Sequence, residues 1–325
     1  MPPIIEREEP GECSDCGCGL PNGCRNCGAC LGCVGYHSDH EAYCEECGER
    51  EFQASDVEIR DSGCRAYPDK QPLKAPYPGF LYLGVELEVE CGDSSRTQVA
   101  ASIGEKYGRD RLLLKDDGSL SNGFEMVTGP WSLEYHQQVW GGIVKAAIEA
   151  DATSWRRKST GLHVHMSRAF FTPLVLGKLL VFLNSEQTKA QIVRLAGRES
   201  PDYASMEKKK LTDVVRYRSR TDWQTGHTTR TRTAVGFGAS GNRYEILNLT
   251  NEKTVEVRIF KGTLGLVHIL ADIEFCHAAA HWTRDVSIQQ CESWPSFWGY
   301  VLKHRKMYAH LVEYMTKTVK IKEEE

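Results

Sequence analysis

At 325 residues the chain can hold one large core plus a small satellite domain, since single domains run ~100–200 residues and reach ~250. Its net charge of −4 is uneven: residues 1–50 carry ten Asp and Glu against three Lys and Arg, and the remainder is mildly basic. The opening "MPPIIEREEPGECSD" has neither the basic nor the apolar region of an export signal, and the longest apolar run, "LVLGKLLVFL", is interrupted by Lys178. It falls short of the ~18 residues a membrane span needs, so a cytoplasmic protein with no membrane partner is expected.

Nine of the thirteen cysteines lie between Cys13 and Cys47. In a reducing compartment repeated Cys-x-x-Cys pairs suit zinc, because two thiolates three residues apart on a tight turn occupy adjacent corners of a tetrahedron. Cys13, Cys16, Cys24, Cys27, Cys30, Cys33, Cys44 and Cys47, with His37 and His40, supply donors for two structural Zn2+ ions, their pairing left open. Residues 1–50 thus read as a small Cys-rich zinc-binding module whose folding depends on metal. Its acidic balance points to docking a protein partner or presenting a substrate rather than to binding nucleic acid. A linker at 51–79, punctuated by Pro68, Pro72, Pro76 and Pro78, leads to a second domain at 80–325.

That domain opens with "FLYLGVELEVEC". Val85, Leu87 and Val89 alternate with Glu86, Glu88 and Glu90, which predicts a strand with an apolar back and a carboxylate front. "RLLLKDDGSLSNGFEMVTGP" follows as two apolar segments around a polar turn, bearing Asp116, Asp117 and Glu125, and reads as a hairpin or a strand–loop–strand unit. A helix is expected at 131–150. In "TGLHVHMS", His163 and His165 share one face of a strand while Leu162 and Val164 pack behind. Thr172 and Pro173 then start a helix running to about 196.

Residues 208–232 hold eight Lys and Arg against two Asp and read either as a solvated loop or as a flap whose Arg230 and Arg232, with nearby Arg243, touch phosphates. Phosphates of a nucleotide and of a nucleic acid attract such a patch equally. "TVEVRIFKGTL" repeats the strand design, with Val255, Val257 and Ile259 behind Glu256 and Arg258. Helices are expected at 265–285 and 294–316. His277 and His281, four apart on the first of these, read as packing residues with polar tips, because no Glu stands between them.

The predicted class is α+β: an antiparallel sheet with helices on its apolar face and a polar groove on the other. Adjacency of the four segments would bring together Glu86, Glu88, Asp117, Glu125, His163, His165, Glu256 and Arg258. So many carboxylates repel and raise one another's pKa unless cations neutralise them. Carboxylates with an imidazole suit Mg2+ or Mn2+, ions that commonly bridge to nucleotide phosphates.

In this order the segments resemble the catalytic core of the glutamine synthetase and gamma-glutamylcysteine ligase superfamily, and most closely the amidoligase family met in phages and bacterial gene clusters. The resemblance spans about residues 80–265 and rests on "GVELEVE", "KDDGSLSNGFEMVTGP", "GLHVHMS" and "TVEVRIFKGTL". It implies a glutamine-synthetase-like sheet and an ATP-dependent carboxylate–amine ligase acting through an acyl phosphate. Glu88, Asp117 and Glu125 would hold one ion; Asp117 stands where glutamine synthetases carry Glu. Glu86, His163 and Glu256 would hold the other ion against the ATP phosphates, with His165 lining the nucleotide site and Arg258 neutralising the phosphoryl group in flight.

Catalytic roles therefore fall to Arg258, Glu86, Glu88 and Glu256, and the identity of the acid and the amine, whether small molecule, peptide or protein, is left open. Competing readings are a phosphotransferase using the same groove, a non-catalytic nucleotide- or protein-binding adaptor, and a zinc hydrolase built on the His-x-His pair. The last fits poorly, because histidines 136, 227, 268, 277, 281, 304 and 310 fall mostly in expected helices.

Overall fold

Strict alternation makes the first strand, β1 (Leu83–Cys91), two-faced, and Val85, Leu87 and Val89 are completely buried beneath it. The structure, a computed structural model, describes residues 79–154, 160–198, 245–251 and 253–319, the backbone of 215–221 and 228–234, and residues 59, 204 and 206. The expected zinc module at 1–50, most of the 51–79 linker and Arg243 lie outside these residues.

Helix α1 (Arg96–Arg111) follows β1, and then strands β2 (Leu112–Lys115) and β3 (Gly123–Thr128) form the expected strand–loop–strand unit. After them come α2 (Leu133–Glu149), the short β4 (Ala152–Thr153), β5 (Gly161–Ser167), α3 (Pro173–Asn184) and α4 (Lys189–Ala196). A hairpin of β6 (Val215–Thr221) and β7 (Thr228–Ala234) runs alongside α3 and carries Arg230 and Arg232 on its second strand. Strands β8 (Leu247–Asn248) and β9 (Thr254–Lys261) precede α5 (Leu266–Asp285), α6 (Trp294–Lys303) and α7 (Ala309–Glu313), which ends in a π turn at 314–318.

The fold is α+β: among the described residues, a seven-stranded antiparallel sheet and seven helices. Six strands run in the order β2-β3-β1-β5-β9-β8, and β4 pairs with the end of β1. All pairings are antiparallel. Leu162, Val164, Val255 and Val257 join the buried residues of β1 in one continuous core. Helix α5 lies against β5 and packs with α2, α3, α6 and α7.

Three expectations need correction. Helix α1 was not foreseen, because it contains two glycines and, among the described residues, the hydrophobic side chains it buries are Val99, Ala100 and Ile103. Its start was nonetheless encoded: Gln98 accepts from the backbone N–H and hydroxyl of Ser95, while the Ser95 hydroxyl accepts from the Gln98 N–H, a reciprocal cap. The single helix expected at 173–196 is two, broken where Thr188 donates its hydroxyl to the Phe182 and Ser185 carbonyls. The helix expected at 294–316 is likewise broken, into α6, α7 and the π turn.

The alternation of β9 also ends earlier than its pattern implies. Val257 stands opposite Val164 but Phe260 opposite Leu162, so two residues, Arg258 and Ile259, face the single His163. This β-bulge makes Phe260, rather than Ile259, the cross-strand partner of Leu162 and adds local twist beside the polar face.

Candidate metal and phosphoryl site

Register assembles the polar face. Glu86 pairs with His163 across β1 and β5, Glu88 pairs with Glu125 across β1 and β3, and His165 pairs with Glu256 across β5 and β9. Strands β3, β1, β5 and β9 are neighbours, so side chains from four distant segments share one surface. Asp117 joins them from the β2–β3 loop.

His163 is the centre. Its Nδ1 lies 3.6 Å from Glu86 Oε2 and 3.6 Å from Glu256 Oε1, and its Nε2 lies 3.9 Å from Glu88 Oε1. His165 Nε2 is 3.4 Å from Glu86 Oε1, while its Nδ1 meets the Thr254 hydroxyl at 3.2 Å. Arg258 ion-pairs with Glu256, whose other oxygen accepts from the Asn248 and Asn251 side-chain amides at 2.8 and 3.4 Å. The two asparagines escaped the sequence reading, although the register places Asn248 opposite Glu256.

Two disjoint acidic groups result, Glu88–Asp117–Glu125 and Glu86–His165–Glu256, in each of which one donor atom per residue lies within 4.8 Å of the others. A third such group, Glu86–Glu125–His163, overlaps both. His165 thus stands within one of the acidic groups, where the sequence reading placed it against nucleotide, and His163 sits between the two.

The carboxylates do not all shift the same way. Burial pushes the Glu125 carboxyl up to about 9, with the Glu86 charge adding to it. Burial acts on Asp117 as well, but hydrogen bonds from the Ser119 backbone N–H, 2.6 Å away, the Ser119 hydroxyl and the Glu125 carboxyl together outweigh it and keep this carboxylate below the usual range. Burial likewise raises Glu88. Glu86 is buried too, but the imidazoles of His165 and His163 beside it hold it well below its ordinary value, through their charge. In return burial disfavours the His165 cation, yet the neighbouring Glu86 and Glu256 carboxylates together outweigh it and raise its pKa. The upward shift expected of such a cluster is found at Glu88 and Glu125, whereas the imidazoles outweigh burial at Glu86 and hydrogen-bond donors outweigh it at Asp117.

Donor chemistry and geometry both fit divalent cations. His163 Nδ1, His165 Nε2 and Arg258 Nε are buried without a hydrogen-bond partner, an arrangement costly unless a ligand completes it. Oxygen-rich groups with one imidazole suit Mg2+ or Mn2+ better than zinc.

Neighbouring polar residues have other duties. Glu90, from the carboxylate face of β1, accepts from the Ser121 and Asn122 backbone N–H groups at 3.1 and 2.8 Å and fixes the loop before β3. Asp116 pairs with Arg96. His136 accepts from Trp140 at Nδ1, so its Nε2 donates to the Leu83 carbonyl at 2.9 Å; burial lowers its pKa to about 4, making it a neutral core residue. His277 bonds Tyr308 and packs tilted against His281 with ring centroids 4.4 Å apart, the packing role expected.

Arg198 was missed altogether. It follows Gly197, which closes α4 in the left-handed conformation (φ 66°), and its Nη2 donates to the Thr160 carbonyl at 2.8 Å, beside Glu88. No spacing marks it; the only local signal is the glycine that ends a helix.

No curated protein matches the chain. The family described as "Putative amidoligase enzyme" matches residues 92–280, more than half of the 325 residues. The match begins just after β1, spans Asp117, Glu125, His163, His165, Glu256 and Arg258, and ends within α5, and the chain belongs to the amidoligase family.

Proposed function

We propose that this protein is an ATP- and Mg2+-dependent carboxylate–amine ligase of the glutamine synthetase superfamily. The observation that carries the reading is the pair of disjoint acidic groups flanking His163, with Arg258 at one edge. Glu88, Asp117 and Glu125 would hold one ion and Glu86 and Glu256 the other, with an imidazole from His163 or His165. Bound there, the ions would neutralise phosphate oxygens, and phosphoryl transfer depends on positioning and such neutralisation.

A carboxylate is a poor acyl donor because its oxide leaving group is strongly basic. An oxygen of the acid takes the γ-phosphoryl of ATP and ADP leaves; the amine nitrogen then attacks the acyl carbon, inorganic phosphate leaves, and the nitrogen gives up one proton. The rigid sheet holds its carboxylates and Arg258 in place for both steps, and Asn248 and Asn251 fix Glu256 against rotation. Arg258, its Nη1 committed to Glu256, keeps Nε for an oxyanion. Arg230, Arg232 and Arg243 are further candidates for the phosphates. The Cys-rich segment, with two structural zinc ions, would present a protein partner or substrate.

The test is ADP release by the purified protein with ATP and Mg2+ against a panel of carboxylates and amines, with Glu88→Ala as control. Acid-dependent ADP release that requires Glu88, with an amide seen by mass spectrometry, supports the ligase. ATP turnover without an amide identifies a phosphotransferase, and tight nucleotide binding without turnover across the panel favours an adaptor.

A further inference from the structure

Resting on the two-ion reading above, we propose that Arg198 is a positioning residue that fixes Glu88 as a metal ligand through the peptide group shared by Thr160 and Gly161. Arg198 Nη2 donates to the Thr160 carbonyl at 2.8 Å, and the N–H of the same peptide unit, on Gly161, donates to Glu88 Oε2. The peptide is planar and conjugated, so a cation on its oxygen polarises the N–H at the other end into a stronger donor. One oxygen of Glu88 is pinned in this way. Its other oxygen, Oε1, 3.9 Å from His163 Nε2, is left to face the cluster.

Two further observations agree. The Gly262 N–H donates to the same Thr160 carbonyl at 3.1 Å, so this oxygen is gripped from two directions and the peptide plane cannot turn. A Cβ on Gly161 would lie 3.0 Å from Arg198 Nη2, 3.1 Å from His163 Nε2 and 3.2 Å from Glu88 Oε2, so the three groups converge on the one residue that leaves them room. Arg198 also attracts Glu88 directly across the gap and is repelled by Arg258. Each guanidinium acts on a different carboxylate, Arg258 on Glu256 and Arg198 on Glu88.

The test is Mn2+ binding to the full chain by titration calorimetry, the Glu88 site being identified by its loss in Asp117→Asn. Arg198→Ala is expected to weaken that site about 10- to 100-fold, as loss of a group that orients a ligand does, while the other site and the melting temperature stay unchanged. Arg198→Lys should restore part of the affinity, since one N–H to Thr160 suffices. In a Glu88→Gln background the Arg198→Ala change should have no further effect. Equal weakening of both sites, or a lowered melting temperature that Lys does not restore, would overturn the positioning role in favour of a general structural one. Unchanged Mn2+ affinities with weakened binding of inorganic phosphate to the Mn2+-loaded protein would overturn it in favour of direct anion contact. Failure of the unsubstituted protein to bind Mn2+ would instead overturn the two-ion reading itself.

Discussion

His163 faces Glu86 across the β1–β5 register, and one nitrogen of its ring stands 3.6 Å from both the Glu86 and the Glu256 carboxylates. The imidazole thus spans carboxylates from two strands that do not pair with each other. His163→Ala should lower Mn2+ affinity at least tenfold while leaving the fold intact, because the surrounding carboxylates remain on their strands. Calorimetric titration beside far-ultraviolet circular dichroism checks both halves of the expectation.

Glu125 predicts a pH signature. Its carboxyl is raised to about 9, so between the ordinary Glu value and about 9 the folded chain holds a proton that the unfolded chain has released. Stability must then fall as pH rises through that window, by about 1.4 kcal/mol per pH unit for one full proton. Glu125→Gln, which cannot titrate, should flatten the dependence of melting temperature on pH in chelator-treated protein. Added Mn2+ should flatten it as well, by replacing the proton.

Two glycines separate the site from the fold. The atoms nearest a Cβ at Gly161 are side-chain atoms of the site at 3.0–3.2 Å, which can give by a few tenths of an ångström, so Gly161→Ala should cost about 1 kcal/mol in stability but weaken Mn2+ binding about tenfold. At Gly123 a Cβ would lie 2.1 Å from the Val89 carbonyl oxygen in the facing strand, which cannot yield. Gly123→Ala should therefore lower stability by several kcal/mol, about the upper range of overpacking or beyond. Urea denaturation of the two variants compares them directly.

Far from the site, Glu274 is fully buried and accepts from Gln137 Nε2, His310 Nδ1 and the Leu311 N–H at 2.7, 2.7 and 2.8 Å, tying α5 to α2 and α7. Glu274→Ala should cost about 3–5 kcal/mol by leaving these donors and the His310 cation without their partner. The Glu274 hydrogen bond raises the pKa of His310. Its contribution is therefore complete below the ordinary His value and disappears as pH rises through the raised one, a decline that Glu274→Gln should reduce in a melting-temperature series.

Much of this arrangement could be read from the chain, because a period of two assigns faces without further information. Glu86, Glu88, His163, His165 and Glu256 declared themselves by alternation with residues that had to be buried. The bulge at Arg258 and Ile259 could not be read, since it depends on how β9 pairs with β5. Nor could the division of 173–196 and 294–316 into shorter helices, where side-chain hydroxyls and tertiary packing override an apolar pattern. Arg198 and Asn248 matter only through partners far away in sequence, and no local spacing encodes such partnerships.

The first of the described strands, β1, lies at the middle of the finished sheet. Its partners β3, β4 and β5 begin 32, 61 and 70 residues further along, measured from Cys91 to Gly123, Ala152 and Gly161. During synthesis β1 therefore waits with both edges open, and its three glutamates act as charged gatekeepers that discourage pairing with a neighbouring chain. The carboxylates that the proposed chemistry uses would thus already protect the nascent protein before there is any site for them to serve.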